Sequence, residues 1–252
     1  MSEAMIAEYV QIPTADGELI QAYSARPLET AVRPGVVVIH HLPGFDRGMK
    51  EIVRRFAEFG YDAICPNLYW REAPGAAPDD AAALVRARGG IPDSRLLEDV
   101  AAAAAHLRAQ TTSNGRVGVI GFCSGGRQSV LAACTLDLDA CIDCYGAYVT
   151  GTPTKDFPLK VTNLVDQLPA LRAPLLGLFG DQDTHPSPAE VAELREILTR
   201  NGKQFELHSY ADAGHAFFSA DRLAYRVKAA NNGWEKITAF FAEHLGADSI
   251  RA

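Results

Sequence analysis

The chain is 252 residues long, 48 % hydrophobic and 22 % charged, with 31 acidic against 24 basic side chains and a net charge of −7. That length suits one large domain or two small ones, with a sizeable core, and the absence of a composition break that would mark a linker reads as one domain, residues 1–252. The acidic balance excludes the basic face a nucleic-acid partner requires and offers no attraction to an acidic membrane.

No apolar stretch reaches the length of a membrane span. The opening MSEAMIAEYVQI has acidic residues and no basic region, so it does not read as a signal peptide, and a cytoplasmic location is expected. Five cysteines at irregular spacings are not a disulfide framework. Cys141 and Cys144 form a C-x-x-C, but DACIDCYGAY reads as a buried strand. No metal or redox role is expected there.

In chain order, EYVQIP and LIQAYSA have strand character with Asp16-Gly17 as the turn between them, so residues of about 5–27 read as a β-hairpin. Pro34-Gly35 leads into VVVIHH, an apolar run suited to a strand buried on both faces. A helix follows from about Arg47 to Phe59, stopped by Gly60, and YDAICP is the next strand. The stretch REAPGAAPDDAAALVRARGGIPD reads as a loop with a helical piece inside. Asp93 or Ser94 is placed to cap a helix through Leu107, with Ala101–Ala105 as strong helix formers. RVGVIGF is a strand, a helix spans about Gly125 to Ala133, and another strand surrounds Cys141. Residues 150–172, with three prolines, read as irregular. PLLGLFG is a buried strand, Ser187-Pro188 opens a helix closed by Asn201-Gly202, FELHSYA is the last strand, and one long helix ends the chain. Strands alternating with helices place the chain in the α/β class, with a mostly parallel central sheet covered on both faces. Whether the hairpin joins the sheet edge or reaches a second subunit is open, and a monomer or a homodimer is expected.

The segment GFCSGG, residues 121–126, closes the strand RVGVI. G-x-nucleophile-x-G is the pattern of a nucleophile elbow, a sharp strand-to-helix turn with small flanking residues. It makes Cys123 the candidate nucleophile. The helix N-terminus beyond it favours thiolate over thiol, and the Ser124 amide is placed to donate to an oxyanion. An elbow requires an acid and then a histidine, each past a later strand. LFGDQDTHP supplies Asp181 and Asp183, of which Asp183 is favoured, and SYADAGHAF supplies His215.

With these pieces in view, the chain resembles the dienelactone hydrolase family, cysteine enzymes of the α/β-hydrolase fold. The resemblance is carried by GYDAICPNLY with REAPG after it, SNGRVGVIGFCSGG, FGDQD and AGHAF, in family order from Pro34 onward. It implies a Cys123–Asp183–His215 triad and cofactor-free hydrolysis of a small-molecule lactone or ester through an acyl-thioester. It also implies Leu42 as the second oxyanion donor. Where the family carries a glutamate, this chain has His41, expected to take over thiol activation. The resemblance implies arginines on the substrate carboxylate. Arg86 or Arg88 answers to the first; at the second position Phe218 intervenes and the nearest arginine is Arg222. Trp70 and Phe218 are expected to line the pocket. The alternatives are a general carboxylesterase or thioesterase, a non-catalytic ligand-binding member of the fold, and a thiol redox sensor.

Overall fold

The computed structural model describes residues 4–246. Its central sheet has eight strands in the order β1-β2-β4-β3-β5-β6-β7-β8. The strands are β1 (Met5–Pro13), β2 (Leu19–Pro27), β3 (Arg33–Ile39), β4 (Asp62–Pro66), β5 (Ser113–Phe122), β6 (Ala140–Cys144), β7 (Leu175–Gly180) and β8 (Phe205–Tyr210). From β4 to β8 all neighbours are parallel. The β1–β2 hairpin adds antiparallel on β4, with Ala22 opposite Pro66 and Ala25 opposite Ala63. The hairpin is therefore the edge of this chain's own sheet.

Side chains alternate across a strand, so a strand covered on both faces needs apolar residues at every position. In β3, Val37 and Ile39 enter one apolar cluster while Val36 and Val38 enter the other. The first cluster lies under α2 (Pro78–Ala87), α3 (Asp93–Arg108), α4 (Ser124–Thr135) and α5 (Pro188–Arg200). The second lies under α1 (Arg47–Glu58) and α6 (Val227–Leu245). There Phe56 meets Phe59, Tyr61, Trp234 and Phe241 at centroid distances of 5.7–6.4 Å. Both Cys141 and Cys144 lie in β6, wholly buried, and burial pushes their thiols well up. Among the described residues no helix is long and apolar enough to cross a membrane.

Helix starts follow the expected chemistry with one correction. Asp46 caps α1, its Oδ1 accepting the Met49 N–H at 3.0 Å, and Ser187 forms a capping box with Glu190 on α5. Neither Asp93 nor Ser94 caps α3, whose N-cap is Pro92. The Asp93 carboxylate instead accepts two hydrogen bonds, at 2.9 and 2.8 Å, from the buried Arg127 guanidinium on α4. The bidentate pair gives the carboxylate two charge-assisted bonds to a guanidinium where a cap would give one to an amide.

The loop after β4 is anchored by charge. Arg71 places Nη1 at 2.7 and 3.0 Å from the two Asp99 oxygens on α3 and Nε at 2.5 Å from Glu18 of the hairpin turn. Asp99 is 1 % exposed, and burial, opposed by Arg71, pushes its carboxyl up to about 6. Arg71→Ala strands that carboxyl and is expected to lower stability by about 2–3 kcal/mol in urea denaturation. A loss below about 0.5 kcal/mol, the range of an ordinary surface change, would contradict this anchoring role.

Candidate active site

The end of β5 turns on Cys123, which sits at φ 57°, ψ −122°. This is a region that non-glycine residues rarely occupy, at a cost of about 1–3 kcal/mol. Neighbouring glycines make the turn possible. A Cβ on Gly121 would fall 1.8 Å from the Gly125 carbonyl oxygen, and one on Gly125 would fall 2.4 Å from that of Ile39. Backbone therefore passes backbone with no side chain between, and α4 starts directly under β3. The Cys123 N–H donates to the Cys144 carbonyl at 3.0 Å, which ties the turn to β6.

A second close approach joins the acid and histidine loops. A Cβ on Gly180, the last residue of β7, would lie 2.4 Å from the Ala213 carbonyl oxygen. The Gln182 N–H donates to that same carbonyl at 2.9 Å. Asp183 is thereby set beside His215, and the His215 Nδ1–H donates to Asp183 Oδ2 at 2.7 Å. Asp183 Oδ1 accepts the His185 N–H at 3.0 Å, so both oxygens are used. The Asp183 side chain is 2 % exposed, whereas Asp181 points to solvent.

His215 and the backbone N–H groups of Ser124 and Leu42 stand close enough to the Cys123 thiol to act on it. Burial works to raise the Cys123 thiol. The hydrogen bond and charge of His215, with the two amides, outweigh it and hold the thiol below its ordinary range. Burial works to lower His215. The hydrogen bonds to Asp183 and Cys123, and their charges, outweigh it and push the imidazole up to about 10. The two shifts have one source, the mutual attraction between the charged forms of the thiol and the imidazole. The structure thus gathers Cys123, Asp183, His215, Leu42 and Ser124.

His41 is placed differently from expectation. Its Nε2–H donates to Asp46 Oδ2 at 2.6 Å, inside the loop between β3 and α1. The ring is thus engaged by the helix-capping aspartate. His40, 1 % exposed, donates from Nδ1 to the His41 carbonyl at 2.9 Å and accepts the Leu68 N–H on Nε2 at 3.2 Å. Burial holds it neutral, down to about 4. The Tyr69 hydroxyl donates to the Leu42 carbonyl at 3.0 Å. The loop that carries the Leu42 amide is therefore pinned by Asp46, His40 and Tyr69. Of these, Asp46 had a readable signal as a cap before the helix at Arg47, and Tyr69 ends the GYDAICPNLY segment.

The expected substrate-binding residues divide. Arg86 and Arg88 are exposed at the end of α2, and the charge of Arg86 acts on the Tyr69 hydroxyl. Arg222 is exposed on the loop before α6. Trp70 is half-buried against the first apolar cluster. Phe218 is corrected to a core residue. It stacks on Phe217 at 4.6 Å and meets Phe122 and Trp234, and its ring fills the space left by Gly233 on α6. An apolar ring next to a bare helix glycine gains more by burial than by facing a wet cleft. The aromatic beside the histidine is Tyr145, whose ring centroid lies 5.2 Å from that of His215. Asp143 is also buried here; its Oδ1 accepts the Gly146 N–H at 2.7 Å, and burial pushes the carboxyl up to about 7.

Residues 20–245 match the model of the dienelactone hydrolase family. A protein of Escherichia coli (strain K12) named "Putative carboxymethylenebutenolidase" is 33 % identical over 98 % of this chain and 91 % of its own length. A Bradyrhizobium protein named "Probable 2-oxo-3-(5-oxofuran-2-ylidene)propanoate lactonase" is 30 % identical over 97 % of each chain. The crystal structure of a "Putative Dienelactone Hydrolase" from Klebsiella pneumoniae superposes with a TM-score of 0.84 at 31 % identity, covering 95 % of this chain and 99 % of that one. The chain belongs to the dienelactone hydrolase family, hydrolases of lactone and ester bonds built on the α/β-hydrolase fold.

Proposed function

We propose that this chain hydrolyses a lactone or ester with Cys123 as nucleophile, His215 as general base and acid, and Asp183 as the group that orients and stabilises the imidazolium. The observation that carries the reading is His215 held by Asp183 at 2.7 Å and set beside Cys123, on a thiol that two backbone amides also influence. The Cys123 sulfur attacks the carbonyl carbon, and the electron pair of the C=O bond moves to oxygen. The Leu42 and Ser124 amides hold that oxyanion. Collapse breaks the C–O bond, and the His215 imidazolium gives its proton to the departing oxygen. In a lactone that oxygen stays tethered to the acyl group. Water, deprotonated by His215, then attacks the thioester, and the second collapse returns the thiolate and releases a carboxylic acid.

Arg86 is the proposed partner for a carboxylate on the substrate, because its charge already reaches Tyr69 at the cleft wall. Arg88, Arg222 and Trp70 stay as outer contacts in this reading. His41 acts through the loop, as the partner of Asp46, and not as a base for the thiol. A lactone preference over acyclic esters is favoured by the likeness to the Bradyrhizobium protein, whose name is that of a lactonase.

Two measurements test this. Cys123→Ala is expected to lower p-nitrophenyl acetate hydrolysis by about 1000-fold or more, and acid-quenched wild type should carry an acetyl group on the Cys123 peptide. Equal rates in both proteins would reject the cysteine mechanism, while faster turnover of acyclic esters than of lactones of matched reactivity would favour a general carboxylesterase. Asp46→Ala is expected to cut kcat about 10-fold with KM nearly unchanged, by freeing the loop that aims the Leu42 amide. A rise in KM at constant kcat would assign Asp46 to substrate binding instead.

A further inference from the structure

A cavity of about 240 Å³ is walled in part by Phe45 and Tyr69, and none of Cys123, Asp183 and His215 lines it. It opens between the β1–β2 hairpin, the first turn of α1 and the segment from Asn67 to Ala81. Its walls are the rings of Tyr9, Phe45 and Tyr69, the amides of Gln21 and Asn67, and the Lys50 side chain. No lining residue is acidic. The Lys50 ammonium stands 4.5 Å from the Phe45 ring centroid and 5.3 Å from that of Tyr9. Among the described residues it forms no ion pair with a carboxylate. The nearby Asp46 carboxylate is taken up by His41 and by the Met49 N–H.

A cation held against aromatic faces, with amide groups at the opposite wall, matches one kind of ligand: a flat or conjugated acid. Its carboxylate meets the ammonium and its plane lies along the rings. Tyr9 and Phe45 are already edge to face at 6.2 Å, with interplanar angle 62°. The Asn67 amide donates to Gln21 at 3.2 Å, which leaves the Gln21 amide N–H groups as donors for a second oxygen.

We infer that this cavity is a second binding site, for small planar carboxylates, coupled through Tyr69 to the loop that holds the oxyanion. The occupant follows from the proposed reaction, on which this part of the inference rests: every ester or lactone it opens ends as a carboxylate. Tyr69 forms the shared wall, and its hydroxyl holds the Leu42 carbonyl at 3.0 Å. Phe45, another wall, sits on the same short loop, where the Gly44 N–H donates to the His41 carbonyl and the Asp46 N–H to the Gly44 carbonyl, each at 2.9 Å. A bound acid presses on Tyr69, one of the three side chains that pin the Leu42 loop, and on Phe45 within that loop. The site thereby links the concentration of product-like acids to the rate of oxyanion formation.

The test uses benzoate as the probe and benzamide as its neutral counterpart, with the full-length chain carrying Cys123→Ala. Turnover is then irrelevant, so the outcome does not depend on the hydrolytic mechanism. Benzoate is expected to shift the backbone amide resonances of Tyr9, Phe45, Lys50 and Asn67 saturably, and Lys50→Met should weaken it about 10-fold or more, the loss expected for one charge-assisted contact. Benzamide should bind at least as weakly as benzoate does to Lys50→Met. Saturable shifts confined to the loops of residue 123 and His215 would show that benzoate binds only the catalytic cleft and would overturn the second site. Equal affinity in Lys50→Met, equal affinity for benzamide, or no saturable shift would overturn it as well. In the wild type, benzoate should lower kcat for p-nitrophenyl acetate without changing KM; a pure KM effect would remove the coupling to the oxyanion loop.

Discussion

The site depends on a backbone that turns through a left-handed residue at Cys123. That conformation is unfavourable for a residue with a side chain, and it persists because the surroundings leave no other path. β5 is hydrogen-bonded on both sides, to β3 and β6, and α4 enters so closely that Gly121 meets the Gly125 carbonyl. The sheet delivers the chain at a fixed height, and the glycines allow the helix to start at once. The sulfur is then presented at the carboxyl ends of the parallel strands, where the loops after β3, β7 and β8 converge. The strain is small beside the burial of β5, whose last six residues are all buried, so the fold holds it without difficulty.

The chemistry of the sulfur is a contest between burial and charge. Desolvation alone favours a neutral thiol and a neutral imidazole. Asp183 tips the balance, because a carboxylate with both oxygens engaged and nearly no exposure keeps its charge aimed at His215. His215 raised to about 10 in turn makes the thiolate the favoured partner. The same contest runs the other way at Cys141 and Cys144, where burial meets no counter-charge and the thiols stay protonated. Five cysteines share one composition, and their surroundings set one apart.

The reading from sequence alone reached the elements whose physics is local. Apolar runs marked the buried strands, and Gly60, Ser187-Pro188 and Asn201-Gly202 marked helix ends where the structure has them. The order of elbow, acid and histidine was legible because each falls at a strand end. What was not legible depends on pairs distant in sequence. Asp93 serves Arg127, 34 residues away, in place of its own helix cap. His41 was read as a partner for the thiol because it stands where the family carries a glutamate, but Asp46 claims its imidazole. Phe218 stands beside the histidine loop in sequence and is drawn inward by the vacancy at Gly233, which no local pattern announces. Tyr145 and Asp143 carried no motif, and Tyr69 closes GYDAICPNLY with no role to read from it; only the packing of loops from separate strands brings them to the site.

The claim at the centre of this account is that the resting site is a thiolate–imidazolium pair. Its folded thiol lies below the ordinary range and its folded imidazole, at about 10, lies above. The charged pair thus spans the interval between the two, lost on acidification through the thiol value and on alkalinisation through the imidazole value. The direct measurement is the ultraviolet thiolate absorbance of the wild type minus that of Cys123→Ala as pH is lowered. The account predicts a thiolate signal that survives below the usual titration range of cysteine and moves back to that range or above it in His215→Ala. A signal that disappears in the ordinary cysteine range in the wild type, unchanged by His215→Ala, would contradict it.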